Sequence, residues 1–178
     1  MQIKTLSEAF KKEPKPEEIL YYIYAVLYSN TYRAKYAEFL KSDFPHIPFT
    51  KNYEIFKELA GLGKELVELH LLKSKKLDKS NAKFPIKDGC KVEKREYEAK
   101  EEKIYINDRQ YFSGVTKEVW DYYIGGYQVL DKWLKERQGR TLSDDDITHF
   151  LKVIAALAHT IELQKEIDKL YAKVEKML

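Results

Sequence analysis

The chain has 178 residues, of which 44% are hydrophobic and 34% charged, and its formal net charge is +3. This length allows one domain with a full hydrophobic core, and we expect residues 1–178 to form it. No apolar run reaches the roughly 20 residues of a membrane-spanning helix, so no membrane partner is expected. A lone Cys90 excludes an internal disulfide and a thiolate zinc site. Residues 1–16 lack the apolar segment of a secretion signal, so we expect a cytoplasmic protein.

Three helices are predicted in the first 72 residues. Apolar residues recur at helical spacing over Glu17–Asn30, and the pattern resumes over Tyr32–Lys41. Two prolines within Asp43–Phe49 then predict an extended connector, because proline disfavours helical geometry in the residue before it. A long amphipathic helix is predicted over Tyr53–Leu72.

Two glycines interrupt the apolar pattern of that long helix. Gly61 and Gly63 each cost about 1 kcal/mol relative to alanine in a helix interior. We therefore predict that a neighbouring element packs closely against both.

The middle of the chain predicts short strands and short helices. After the polar connector Lys73–Lys83, alternating apolar residues predict a small antiparallel sheet at about residues 84–112. Short helices are predicted over Lys117–Tyr123 and Tyr127–Arg137, separated by the pair Gly125-Gly126, which we take as the stop of the first.

A long C-terminal helix is predicted from Ser143 onward. Ser143 is a favourable N-cap, and the aspartates at 144–146 suit the positive end of a helix dipole. Its apolar residues form one stripe over Ile147–Ile161 and a second, rotated stripe over Leu163–Met177. The fold class is therefore α+β, with a helical N-terminal part, a small central sheet and a long C-terminal helix.

We find no residue pattern that indicates catalysis or metal binding. Gly63-Lys64 has neither the spacing nor the hydroxyl of a phosphate-binding loop, and the four histidines lack the spacing of metal ligands. The aspartates at 144–146 are explained by helix capping. We therefore expect no catalytic and no metal-binding residue in this chain, and a free-standing enzyme is the least favoured interpretation.

Three blocks of the sequence together resemble one protein family. They are Leu20–Ser29 (LYYIYAVLYS), Asp43–Phe49 (DFPHIPF) followed by the helix 59–71, and Val119–Arg137, with its Gly-Tyr-x-x-Leu-x-x-Trp stretch. In content and order they resemble the C-terminal specificity region of type ISP restriction-modification enzymes and related adenine-specific DNA methyltransferases.

The resemblance implies a DNA target-recognition domain that carries no catalytic site. It implies double-stranded DNA as one partner and the methyltransferase domain of the same or a partner chain as the other. The Asn-Pro-Pro motif of such methyltransferases is absent from this sequence. N6-adenine methylation with S-adenosylmethionine is thus implied for the parent enzyme only, and the chain is either a fragment or a separately encoded specificity part.

Basic residues are the candidates for DNA contacts, because cations fix a protein on phosphates and a few side chains read base edges. The presumed hairpins fit a major groove, and a guanidinium can pair with both guanine acceptors. The base-reading candidates are Arg95, Arg109, Lys94 and Lys91. The phosphate candidates are Arg33, Lys35, Lys132, Lys135, Arg137 and Arg140. Trp120 and Trp133 are expected in the core.

One alternative function stays open from the sequence. The apolar stripe Leu163–Met177 would also suit an α-helical protein-protein interaction module that binds no nucleic acid. The recognised DNA sequence cannot be derived from one chain, because a fold does not specify its target.

Overall fold

The computed structural model describes residues 3–177, with side chains from Leu6 onward. Its contacts divide the chain into two compact units: unit 1 comprises Met1–Leu71 with Glu162–Leu178, and unit 2 comprises Leu72–Ile161. Both helices and strands are present, which confirms the α+β class. Whether residues 1–178 act as a single specificity domain stays a prediction.

Unit 1 is helical. Its helices are α1 (Ile3–Phe10), α2 (Pro16–Tyr28), α3 (Asn30–Lys35), α4 (Tyr53–His70) and the part of α7 from residue 162 onward. Pro16 begins α2, where its missing N–H removes no helical hydrogen bond. Asn52 caps α4, because its Oδ1 accepts hydrogen bonds from the backbone N–H groups of Glu54 and Ile55.

The helices α2 and α4 approach each other closely at Gly63. A Cβ atom added at Gly63 would lie 1.9 Å from the carbonyl oxygen of Tyr21, so no side chain fits there. A Cβ atom added at Gly61 would meet nothing within 4 Å. The predicted close packing is confirmed at Gly63 and wrong at Gly61.

Tyr22 lies at the centre of the unit 1 core. Its ring stacks on Phe49 and Phe56, with centroids 5.1 and 5.0 Å away, and its hydroxyl donates to the carbonyl oxygen of Pro48 at 2.7 Å. Burial raises the pKa of Tyr22 to about 12. These contacts attach the proline-containing connector, which forms neither helix nor strand over residues 44–50, to the helical core.

The predicted helix over Tyr32–Lys41 is wrong in its bounds. Ser29 caps α3, since its Oγ accepts from the Tyr32 N–H at 3.1 Å and donates to Asp168 Oδ1 at 2.7 Å. The helix therefore begins at Asn30 and ends at Lys35, and only a short 3-10 helix follows over Phe39–Lys41.

Unit 2 contains the small sheet that the sequence predicts. Strands β1 (Glu96–Glu98), β2 (Lys103–Tyr105) and β3 (Tyr111–Ser113) are antiparallel in the order β1-β2-β3. Ile104 and Phe112 face each other in the register and are buried. Phe112 contacts the rings of Phe84 and Phe150, so the sheet packs on the first part of α7.

The segment after the sheet differs from its prediction. Helices α5 (Lys117–Trp120) and α6 (Val129–Lys135) are shorter than expected, and a hairpin of β4 (Tyr123–Ile124) and β5 (Tyr127–Gln128) lies between them. Gly125 has a φ of +60°, which suits the first residue of a type II′ hairpin turn. The glycine pair therefore forms the tip of a hairpin instead of ending a helix.

Helix α7 (Asp144–Glu175) is the predicted long C-terminal helix. Ser143 and Asp146 cap its start: Ser143 Oγ accepts from the Asp146 N–H, and Asp146 Oδ2 accepts from the Ser143 N–H, both at 3.1 Å. None of the helices in residues 3–177 combines the length and apolar character needed to span a bilayer.

Candidate nucleic-acid interface

The turn between β2 and β3 is held by a hydrogen-bond network. Asn107 Oδ1 accepts from the backbone N–H groups of Arg109 and Gln110, at 3.0 and 2.8 Å, and Asn107 Nδ2 donates to the carbonyl oxygen of Lys91 at 3.0 Å. Gln110 is 2% exposed and donates through Nε2 to the carbonyl oxygen of Ile86 at 2.6 Å. An asparagine that bonds its own turn in this way fixes the turn backbone.

Arg109 projects from this fixed turn. Its residue is exposed, and among residues 3–177 its guanidinium has no hydrogen-bond or ion-pair partner. All five N–H donors are therefore available to a ligand.

The ammonium group of Lys94 neutralises the carboxylate of Asp108, which precedes Arg109 in the turn. Lys94 Nζ lies 3.0 Å from Asp108 Oδ1 and 3.1 Å from Glu96 Oε2. The hydrogen bond to Asp108, followed by that to Glu96, raises the pKa of Lys94 above its usual value. Lys94 thus stays charged at neutral pH and lies beside the turn that presents Arg109.

Lys91 and Arg109 line the same open depression of about 320 Å³. Lys91 Nζ lies 3.8 Å from Glu93 Oε1, and both side chains are exposed. The surface as a whole mixes signs: its cations are Lys91, Lys94 and Arg109, and its carboxylates are Asp88, Glu93, Glu96 and Asp108. A mixture of donors and acceptors suits base edges better than phosphates. We name residues 91–94 with the turn 107–110 the tip surface.

Arg95 points away from the tip surface. Its Nε donates to Asp131 Oδ1 at 2.8 Å and its Nη1 donates to Gln138 Oε1 at 2.9 Å, so the guanidinium joins the start of β1 to α6 and the loop after it. The structure brings Lys91, Lys94 and Arg109 together and separates Arg95 from them. Base reading by Arg95 stays a prediction, and it requires the pair with Asp131 to open.

The phosphate candidates of unit 2 differ in whether other side chains hold them in place. Arg137 is held, because its Nε lies 3.3 Å from Asp146 Oδ1 and its Cζ lies 3.6 Å from the Trp133 ring centroid. Lys132 Nζ lies 3.8 Å from the centroid of the Tyr127 ring. Lys135 and Arg140 are exposed, and their side chains have no polar partner in the part of the chain that the structure describes.

Arg33 and Lys35 lie in the last turn of α3, in unit 1. Lys35 Nζ is 3.0 Å from Glu175 Oε1, and the interaction with this carboxylate raises the pKa of Lys35. Arg33 is exposed. Because these two cations belong to unit 1 and the other four to unit 2, a phosphate-facing stripe of all six stays a prediction.

Both tryptophans pack against the unit 2 core, as expected. Trp120 stacks on Tyr97 with centroids 5.3 Å apart, and Trp133 stacks on Phe150 at 4.4 Å. Within residues 3–177, no group of three His, Cys, Asp or Glu side chains is arranged to hold a metal ion.

Comparison with protein families identifies the chain. Residues 2–166 match the family described as the type ISP C-terminal specificity domain. The chain belongs to this family. The match extends from the first helix of unit 1 into α7, so it includes the tip surface and the hairpin of β4 and β5.

Three solved structures, two of them type ISP restriction-modification enzymes, contain the same fold as this specificity domain. A nuclease-deletion mutant of the type ISP enzyme LlaGI in complex with a DNA substrate mimic is 23% identical, with a TM-score of 0.67 over 87% of this chain. The ATP-dependent type ISP enzyme LlaBIII bound to DNA is 22% identical, with a TM-score of 0.70 over 94%. The DrdV–DNA complex is 21% identical, with a TM-score of 0.67 over 93%.

The specificity domain spans only 14%, 12% and 19% of those three chains, respectively. No curated protein matches the sequence.

Two features of the specificity domain were not predicted from its sequence. The first is Gln110, whose polar side chain is buried and holds the turn; an isolated glutamine gives no sequence signal for this role. The second is the hairpin of β4 and β5, for which Gly125-Gly126 between Ile124 and Tyr127 was the available signal.

Proposed function

We propose that this chain binds double-stranded DNA and recognises a base sequence as the specificity domain of a longer restriction-modification enzyme. The observation that carries the proposal is the match to the type ISP C-terminal specificity domain over residues 2–166. The fold shared with LlaGI, LlaBIII and DrdV, each solved with DNA or a DNA mimic, supports it.

In this proposal the tip surface reads bases. Arg109 has a free guanidinium on a turn fixed by Asn107, so the backbone of the turn loses little conformational freedom on binding and only the side chain has to be ordered. A guanidinium forms two parallel hydrogen bonds to the O6 and N7 acceptors of guanine. Lys91 and Lys94 supply further donors, and Asp108 and Glu93 are acceptors that suit the amino group of cytosine.

Exposed cations of unit 2 contact phosphates in this proposal. Lys135 and Arg140 are the best placed, since neither has to leave an ion pair first. Arg137 is restrained by Asp146 and Trp133, and we assign it to orienting the loop after α6. Arg33 and Lys35 are additional phosphate candidates in unit 1.

We further propose that catalysis belongs to another part of the parent enzyme, the methyltransferase domain of the same or a partner chain, which transfers a methyl group to adenine. S-adenosylmethionine would bind there. In the described residues of this chain, the two glycine pairs lie inside α4 and at a hairpin tip, and neither forms the glycine-rich strand-to-helix turn typical of such cofactor sites.

The alternative of a protein-protein interaction module loses its main support. Leu163, Ile167 and Val174 of the second apolar stripe are buried within unit 1, together with Tyr171. Most of this stripe therefore belongs to the core of the unit, while Leu170 is half-buried and Met177 is exposed.

The proposal is tested by selecting duplexes from a random pool with the purified chain at 50 and 200 mM salt and sequencing the bound fraction. We expect an enriched motif and an affinity that falls steeply with salt. Salt-dependent binding without an enriched motif would contradict base reading by this chain, and no binding at 50 mM would contradict DNA binding.

A further inference from the structure

The hairpin of β4 and β5 exposes the large apolar side chains of unit 2. Tyr123, Ile124 and Tyr127 are 54%, 47% and 60% exposed, and among the described residues of this unit no other large hydrophobic side chain is exposed. Ile124 and Tyr127 face each other in the register and therefore share one face of the hairpin, where they form an exposed apolar patch of the kind that is typical of a binding surface.

The hairpin is narrow and firmly attached. A Cβ atom added at Gly125 or Gly126 would meet nothing within 4 Å, so there is free space beside both glycines of the tip. At its base, Gln128 Nε2 donates to the carbonyl oxygen of Trp120 at 2.6 Å, and the Val129 N–H donates to that of Tyr122 at 3.0 Å. The hairpin is therefore a preformed projection.

Phenol hydroxyls, a lysine ammonium group and one carboxylate lie beside the apolar patch. Lys132 Nζ lies 3.8 Å from the Tyr127 ring centroid and 4.0 Å from Glu136 Oε1, at the limit of an ion pair. Lys135 follows on α6, and within residues 3–177 the phenol hydroxyls of Tyr123 and Tyr127 have no partner. Next to the hairpin, Ile124, Tyr127 and Trp133 line an open apolar groove of about 310 Å³.

An apolar centre flanked by cations and phenol donors is complementary to a duplex backbone. The deoxyribose rings along the minor groove offer apolar faces, and the phosphates on both sides accept hydrogen bonds and attract cations. A protein partner would have to supply an acidic rim around an apolar patch of its own, and nothing in the hairpin favours that occupant over DNA.

We propose that the hairpin 123–128 is a second DNA-contacting element, distinct from the tip surface. Ile124 and Tyr127 pack on deoxyribose rings at the edge of the minor groove, and Lys132 and Lys135 contact the flanking phosphates. This inference rests on the proposed function. The hairpin then contributes to the affinity for DNA and not to the choice of base sequence.

The test compares the unchanged chain with an Ile124→Ser/Tyr127→Ser double variant in duplex binding and hydroxyl-radical footprinting, which reports on deoxyribose exposure. We expect the double variant to bind about tenfold or more weakly, with an unchanged salt slope, because apolar contacts release no counterions. It should also lose part of the minor-groove protection. Tyr127→Phe keeps the ring and should retain most of the affinity.

Phe44→Ala is the matched control, since Phe44 is an exposed aromatic residue of unit 1. Its affinity and footprint should equal those of the unchanged chain, and circular-dichroism melting verifies that each variant is folded. Equal affinity and an equal footprint for the folded double variant would overturn this inference and leave the proposed function intact. Failure of the unchanged chain to bind any duplex would overturn both.

Discussion

Asn107 and Gln110 are hydrogen-bonded through their side chains, with Asn107 Nδ2 donating to Gln110 Oε1 at 2.7 Å. Gln110 is buried and also reaches the carbonyl oxygen of Ile86 at 2.6 Å. One pair of amides thus connects the 107–110 turn to two earlier segments, at Ile86 and Lys91. The backbone position of Arg109 depends on this pair.

The first prediction concerns the pair itself. Gln110→Ala leaves buried partners unsatisfied, so we expect the free energy of unfolding to fall by about 1–3 kcal/mol. Asn107→Ala should cost less than this, because its backbone partners lie at an exposed turn. Urea unfolding of both single variants and the double variant gives the coupling free energy between the two side chains, which we expect to be about 0.5–3 kcal/mol. Strict additivity would show that the two amides do not act as a unit.

The second prediction separates base reading from phosphate binding. Arg109→Ala should relax the selected motif at one or two positions, at a cost of about 1–3 kcal/mol in discrimination. Lys135→Gln should weaken binding equally on all sequences and reduce the salt slope by about 1. Selection and salt titration of both variants check this. A motif altered by Lys135→Gln, but not by Arg109→Ala, would reverse the assignment.

The third prediction uses two glycines of the same helix. Gly63→Ala places a methyl group against the Tyr21 carbonyl, and we expect the overpacking to destabilise the chain by about 1–3 kcal/mol. Gly61→Ala meets open space in a helix interior and should stabilise the chain by about 0.5–1 kcal/mol. Thermal or urea unfolding distinguishes the two. Equal effects would contradict the close approach of α2 to α4.

The fourth prediction is a pH dependence of stability. Burial lowers the pKa of His70, and Nδ1 of its imidazole lies 2.8 Å from the Tyr24 hydroxyl. The unfolded chain therefore takes up a proton at His70 before the folded chain does as the pH falls through about 6.5. We expect the free energy of unfolding to decrease from pH 7 downward until the lower folded-state pKa is passed.

Urea unfolding at pH 7.5 and 5.5 measures this decrease. His70→Gln should reduce it, while His149→Gln, a substitution at an exposed position of unit 2, should leave it unchanged. A pH dependence that is the same in all three chains would show that His70 is not its source.

Long periodic segments were predictable from sequence, and short or long-range features were not. Helices α4 and α7 have apolar residues at regular spacing over many turns, and Ser143 marks a start by local chemistry. The hairpin of β4 and β5 has only two residues per strand, too few to show an alternating pattern. Its glycine pair was therefore interpreted as a helix stop.

The candidate site was predictable in residue type but not in partners. Lys91, Lys94 and Arg109 do lie on one surface near a turn. The ion pair of Arg95 with Asp131 joins residues 36 positions apart, and that of Lys94 with Asp108 joins residues 14 apart, so no local pattern indicates either. These tertiary contacts decide which cation is free to contact a base. Among the base-reading candidates, the free cation is Arg109.

The most direct test of DNA recognition is the ratio of two dissociation constants, for the selected duplex and for a scrambled duplex of the same composition, both at 150 mM salt. We predict at least about 100-fold tighter binding to the selected duplex. Arg109→Ala should lower this ratio by about 5- to 150-fold, which corresponds to a loss of about 1–3 kcal/mol in discrimination, with little change in affinity for the scrambled duplex. Equal affinity of the unchanged chain for both duplexes would contradict its role as the part that reads DNA.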